Sequence, residues 1–181
     1  IDTRGGAVSG PGDGIRVRNE GAGVLSIRTA EVSALNGVAD LVRSLSGIYA
    51  RNEGTSLTIA SEGLVIGDRR GIYASNYGTG RLQISTADVV GLIVTGINAY
   101  NRDQGTFLEI NSSSGEVRGF FNGIFANNHG DGALIITTAD VKGTDNVGVY
   151  ARNSAGVDEF GISLFIDTTA GSVSGGQYGI S

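Results

Sequence analysis

Aliphatic and polar residues alternate in short runs along this chain, and the runs return in order. Gly47-Ile48-Tyr49-Ala50-Arg51-Asn52 comes back as Gly71-Ile72-Tyr73-Ala74-Ser75-Asn76 and Gly96-Ile97-Asn98-Ala99-Tyr100-Asn101. It comes back again as Gly123-Ile124-Phe125-Ala126-Asn127-Asn128 and Gly148-Val149-Tyr150-Ala151-Arg152-Asn153, with a weaker copy at Gly14-Ile15-Arg16-Val17-Arg18-Asn19. An apolar residue at every second position is the mark of a half-buried strand. A second alternating run is Leu-x-Ile, at Leu25/Ile27, Leu57/Ile59, Leu82/Ile84, Leu108/Ile110, Leu134/Ile136 and Leu164/Ile166. A third centres on one aliphatic: Val8, Val32, Leu64, Val89, Val117, Val141 and Val173.

The marker glycines Gly14, Gly47, Gly71, Gly96, Gly123, Gly148 and Gly179 lie 33, 24, 25, 27, 25 and 31 residues apart. A period in this range means units that bury their apolar faces by stacking. Three short strands and their turns fill one unit, so each unit is a triangular coil. Coils spaced by ~4.8 Å would build a rod roughly 30 Å long. The fold expected is all-β: a right-handed, single-stranded parallel β-helix with three short strands per coil and about six to seven coils. The handedness follows from the preference of parallel crossovers. Residues 1–181 read as one solenoid. A leucine-rich repeat would have one strand per unit and a Leu-rich consensus that is absent.

The turns agree with this reading. Asn follows the first six marker glycines by five, at Asn19, Asn52, Asn76, Asn101, Asn128 and Asn153. By alternation this Asn points inward. An unpaired buried amide costs ~1–3 kcal/mol, so the six are expected to bond one another or a turn backbone from coil to coil. Gly follows that Asn by two at Gly21, Gly54, Gly78 and Gly130, where a positive φ is expected.

Two insertions interrupt the period, at 33–46 and 154–163. In the first, Val38, Leu41, Val42 and Leu45 share one helical face, with Asn36 placed to cap it. A short helix is expected near 36–46, as packing against the flank or as a docking element. The second carries Asp158 and Glu159 on an exposed loop, as solvating charges.

In a solenoid, one repeat position becomes a line along the rod. The residue after the first-strand Ile points outward: Arg16, Tyr49, Tyr73, Asn98, Phe125 and Tyr150. Its aromatic members Tyr49, Tyr73, Phe125 and Tyr150 form either a stacking column that stabilises neighbouring coils or a surface for sugar rings or a partner protein. Arg18, Arg51 and Arg152 flank the line and are placed for cation–π contacts; Tyr100 takes their position once. A second line of acids, Glu31, Asp88, Glu116 and Asp140, reads as a solvated face, a calcium bridge being the alternative.

Composition narrows the classes. The net charge is -5 and Lys142 is the only lysine, so no nucleic-acid partner is expected. No apolar run approaches the ~20 residues of a membrane helix. The absence of Cys removes disulfides and thiolate metal sites. Clustered carboxylates, zinc spacings, phosphate loops and nucleophile elbows do not occur, and the single His129 reads as an exposed turn residue. No catalytic residue, cofactor or metal is therefore expected. The Thr pairs Ser85-Thr86, Thr137-Thr138 and Thr168-Thr169 are adjacent, so they cannot share one flat ice-binding face.

Ile1-Asp2-Thr3 through Val8 to Gly14 matches Ile166-Asp167-Thr168 through Val173 to Gly179, so the chain opens in mid-repeat and reads as a segment of a longer array. Open strand edges at its two ends predict self-association or capping by further sequence.

The unit Gly71-Ile-Tyr-Ala-Ser-Asn-Tyr-Gly-Thr-Gly-Arg-Leu-Gln-Ile-Ser-Thr-Ala-Asp-Val-Val-Gly91 resembles the β-helical passenger repeats of bacterial autotransporters, and the resemblance covers nearly the whole chain. It implies a rod displayed at the bacterial surface or secreted, held by a separate C-terminal outer-membrane barrel. Such a rod would serve as stalk or adhesin and meet a host or bacterial surface glycan or protein. The family has no shared catalytic residues to carry over. The alternative class is a carbohydrate-active β-helix: a polysaccharide lyase, glycosidase or phage tailspike.

Overall fold

A computed structural model of the protein describes residues 1–35, 45–154 and 161–181. The chain winds into a parallel β-solenoid whose three sheets, among the described residues, each hold seven strands, one strand per sheet in every coil. The first sheet is built from the six Leu-x-Ile runs, Leu25–Thr29, Leu57–Ser61, Leu82–Thr86, Leu108–Ser112, Leu134–Thr138 and Leu164–Asp167, with Asp2–Thr3 at its edge. The second holds Val8–Gly10, Val32–Ala34, Val65–Gly67, Val89–Gly91, Val117–Gly119, Val141–Gly143 and Val173–Gly175. The third holds Ile15–Asn19, Ser46–Asn52, Arg70–Asn76, Thr95–Asn101, Asn122–Asn128, Val147–Asn153 and Tyr178–Ile180.

Equivalent residues lie over one another. Leu82 is in register with Leu57 and Leu108, Val89 with Val65 and Val117, and Ile97 with Ile72 and Ile124. The inward side chains of the three sheets therefore meet along the axis in one continuous core, which includes Ile27, Ile59, Ile84 and Ile110 of the first sheet and Ile48, Ile72, Ile97 and Ile124 of the third. Each such side chain stabilises the fold by about 1.5–3 kcal/mol through burial. The third sheet has Ala50, Ala74, Ala99 and Ala126 at the next inward position, also fully buried. A larger residue there would crowd an interior packed like an organic crystal.

The marker glycines are required by close approach. A Cβ on Gly47 would lie 2.7 Å from both Val65 Cγ1 and the Gly71 carbonyl oxygen. The same pair of neighbours, a Val of the second sheet and the next marker Gly, crowds Gly96 and Gly148. Sequence and packing are linked directly here: the Val that opens the second sheet leaves no room for a side chain at the start of the third.

Three expectations change. Leu64 is not the core residue of its coil; Val65 is, paired with Val32 and Val89, while Leu64 precedes the strand. Gly21, Gly54, Gly78 and Gly130 do not take positive φ; among the described residues the positive-φ glycines are Gly23 and Gly161. Gly54, Gly78 and Gly130 are instead held by sterics, because a Cβ on each would collide with turn carbonyls of the coil below. The helix expected near 36–46 and the loop carrying Asp158 and Glu159 fall largely on residues 36–44 and 155–160, outside the described residues. At the first insertion's borders, strand Val32–Ala34 ends and strand Ser46–Asn52 begins with Ser46 itself. No helix long and apolar enough to cross a membrane occurs among the described residues.

Candidate functional site

Two side-chain columns run along the third sheet, one inside and one outside. The inner one is the Asn column. Each Asn donates from Nδ2 to the Oδ1 of the Asn in the next coil: Asn19 to Asn52 at 2.8 Å, Asn52 to Asn76 at 2.8 Å and Asn76 to Asn101 at 2.9 Å. Asn101 to Asn128 at 2.9 Å and Asn128 to Asn153 at 2.7 Å complete it. The same Oδ1 accepts the N–H of the Gly two residues on, for example Gly54 and Gly78, both at 3.3 Å. The second Nδ2 hydrogen serves turn carbonyls, such as Gly80 at 3.0 Å and Gly132 at 2.8 Å. Every polar atom of Asn76 thus has a partner, which is how a row of amides survives in an apolar interior.

A second inner column, of hydroxyls, stands in the first sheet. Thr29, Ser61, Thr86, Ser112 and Thr138 are all buried at one register position, with Ser112 and Thr138 bonded at 2.8 Å. Of each adjacent Thr pair, Thr86 and Thr138 turn inward and Ser85 and Thr137 outward, as adjacency requires.

The outer column contains the aromatic stripe. Tyr49 and Tyr73 stack with centroids 5.0 Å apart and planes 11° from parallel; Phe125 and Tyr150 do so at 4.7 Å and 9°. Between them the stripe position is Asn98, only 8% exposed. The gap is closed from the neighbouring column: Tyr100 reaches to Tyr73 at 6.1 Å and Phe125 at 5.5 Å, tilted by about half a right angle to each. Arginines cover remaining ring faces. Arg16 lies 4.7 Å from the Tyr49 centroid, Arg70 5.4 Å from Tyr73 and Arg102 4.8 Å from Tyr100. Burial pushes the Tyr73 phenol above its ordinary pKa and the Arg70 guanidinium below its own. Sequence position placed Tyr49, Tyr73, Phe125 and Tyr150 on one line, and the structure brings them together. It also engages faces that a flat ligand would use, covering them with neighbouring rings and guanidinium groups.

The flanking arginines are deployed differently from expectation. Arg18 pairs with Glu20 at 2.9 Å and Glu53 at 2.8 Å, and Arg51 pairs with Glu53 at 3.0 Å. The hydrogen bond from Arg18, with Arg51 beside it, holds the Glu53 carboxyl below the usual carboxylate range. Arg51 packs not on the stripe but over Tyr77, 4.4 Å from its centroid. Arg102 lies over the same ring at 5.2 Å. Tyr77, Arg51 and Arg102, with Glu53, Asp103 and Gln104, line an open cavity of about 480 Å³ on the turn between the third and first sheets. Sequence reading missed this cluster. Its signal was positional: Glu20, Glu53, Tyr77, Arg102, His129 and Ser154 each follow a column Asn, and these six positions carry five residue types.

The acidic line is less free than a solvated face. Asp88 Oδ1 accepts the Glu116 N–H at 2.8 Å, and Asp140 Oδ1 accepts the Ser172 N–H at 2.9 Å and its hydroxyl at 2.8 Å. Those bonds, the hydroxyl first, hold the Asp140 carboxyl below its ordinary pKa. Glu116 is engaged by Arg118. Asp88 and Asp140 thus each tie their coil to the next through its backbone, and no group of three metal-ligating side chains occurs among the described residues. His129 is half-buried in its turn, with Nδ1 3.9 Å from Asp103. A further feature without a sequence signal is an exposed apolar corner between the second and third sheets, where Leu92 and Phe120 are 48% and 51% exposed.

The class these features define is a parallel β-solenoid with an amide column inside and an arginine–aromatic column outside. Compared with protein-family models, curated proteins and solved structures, the chain matches none.

Proposed function

We propose that this chain is a rod segment of a bacterial surface-displayed or secreted passenger of the autotransporter type, acting as stalk or adhesin rather than as a catalyst. The observation that carries the reading is the unbroken register of the Asn column, with all five coil-to-coil amide bonds made at 2.7–2.9 Å. Six identical inward residues serve cohesion along an axis, which is what a spacer needs. The outer surface supports the same reading, since its aromatic side chains contact one another and the arginines. Its partner is a surface glycan or protein met along the flank of the rod.

The test is display. In cells that make the parent protein, an antibody against this chain should label intact cells or the culture medium, and external protease should remove the surface signal. Signal confined to lysed cells would sink the reading. Release of reducing or unsaturated ends from polyuronates by the purified chain would instead favour a carbohydrate-active β-helix.

A further inference from the structure

The turn after the Asn column is where the outer surface stops repeating itself. Each residue there is held in line by the carbonyl of the Asn one coil back. The N–H of Glu53 bonds Asn19 at 2.8 Å, Tyr77 bonds Asn52 at 2.7 Å and Arg102 bonds Asn76 at 2.8 Å. A position built only for cohesion would carry one residue type, as the Asn position does. This one carries an acid, a phenol and a guanidinium in three successive coils, around a cavity of about 480 Å³. That lies within the range of small-ligand sites, roughly 300–1,000 Å³.

The polar atoms of the cavity are incompletely used. Arg102 forms no ion pair among the described residues, and its Nε is buried without an acceptor. Arg51 Nε is in the same condition, while its Nη2 is tied to Glu53 at 3.0 Å. A guanidinium that lines an open cavity and has no carboxylate partner favours an anionic oxygen above any neutral one. The rim differs from that of a bare anion site. Asp103 and Gln104 are both exposed there, and an acid beside an anion site is unfavourable unless it accepts a hydroxyl. Tyr77 offers its edge only, because Arg51 and Arg102 occupy its faces. Anion, hydroxyl acceptors and an amide together describe an acidic sugar.

We propose that this cavity binds a carboxylated saccharide unit, its carboxylate on Arg102 and its hydroxyls on Asp103 and Gln104. The proposal rests on the adhesive half of the function proposed above and names the ligand class for it. A terminal sialic acid and an internal uronic acid share this chemistry.

The experiment is calorimetric titration of the chain at low salt with 3′-sialyllactose and with trigalacturonate, against lactose, maltotriose and sodium acetate. At least one carboxylated saccharide should bind saturably, at least about tenfold more tightly than the neutral sugars or acetate, and weaken in about 0.5 M NaCl. Whichever acidic sugar binds identifies the source. Arg102→Gln should weaken binding about tenfold or more, and Arg102→Lys should retain part of it. Arg118→Gln, on the second sheet, should change nothing. If Arg102→Gln does not fold, Gln104→Ala at the exposed rim carries the test, with an expected loss of roughly severalfold. Equal binding of neutral sugars, acetate as good as the saccharides, an unaffected Arg102→Gln, or no binding at roughly 10 mM would each overturn the proposal. Cell-surface labelling that persists without sugar binding would remove this site and leave the displayed rod standing; sugar binding by a protein confined inside the cell would do the reverse.

Discussion

The Asn column and the aromatic column share one sheet and one register, yet they obey different rules. The inner column has the same residue in six coils without exception. The outer one loses its ring at Asn98 and carries on, because Tyr100 leans across from the neighbouring position to meet Tyr73 and Phe125. An amide buried in an apolar interior must place a donor and an acceptor to within tenths of an ångström, and an orphaned partner costs ~1–3 kcal/mol. Ring contact at a half-exposed surface needs only area and tolerates tilt, for a gain of ~0.5–1.5 kcal/mol beyond burial. Identity is therefore demanded inside, and only chemical kind outside.

The largest effect should come from breaking the inner column. Asn76→Leu leaves Asn52 Nδ2 without its acceptor, Asn101 Oδ1 without its donor and the Gly78 N–H unpaired. A loss of about 2–5 kcal/mol is expected by thermal or denaturant unfolding. A melting curve like that of the parent would refute the claim that this column holds the coils together. Next comes the turn that shields it. Gly78→Ala would drive a methyl into the carbonyls of Gly54 and Thr55, whereas a Cβ on Gly21 meets nothing closer than Asn19 Oδ1 at 3.7 Å. Gly78→Ala should cost about 1–3 kcal/mol and Gly21→Ala well under ~1 kcal/mol. Equal losses would mean that φ, not space, selects glycine at this repeat position. The smallest effect sharpens the outer half of the comparison. Tyr100→Ser should cost roughly 1 kcal/mol, and Asn98→Tyr added to it should restore part of that loss, measured as a double-mutant cycle. If Tyr100→Ser matched Asn76→Leu, the outer column would be as exacting as the inner one and the contrast would fail.

Much of this architecture was legible because a solenoid turns sequence period into spatial column. The spacing of Asn52, Asn76 and Asn101 alone placed them over one another, and alternation alone put them inside. Where two residues fit one slot, the period was silent. Leu64 and Val65 are adjacent aliphatics at nearly equal distance from Gly71, and only packing separates them, since Val65 Cγ1 is the atom that crowds Gly47. Glycine was legible as a requirement but not in its cause, because chain passing over chain leaves no trace in local sequence. The cavity at Tyr77 was hidden for the opposite reason. Its residues repeat in position and not in kind, and a search for similarity between units passes over the places where units differ.

The hydrogen bonds that join coil to coil lie along the rod's long axis. A pull on one end of such a rod therefore does not shear all of its strands at once; it opens the outermost winding first. Each winding freed, 24 residues between Asn52 and Asn76 for instance, would let out roughly 80 Å of extended chain in exchange for a layer ~4.8 Å thick. Under mechanical load the molecule would yield one winding at a time, letting out slack while the windings beneath remain wound.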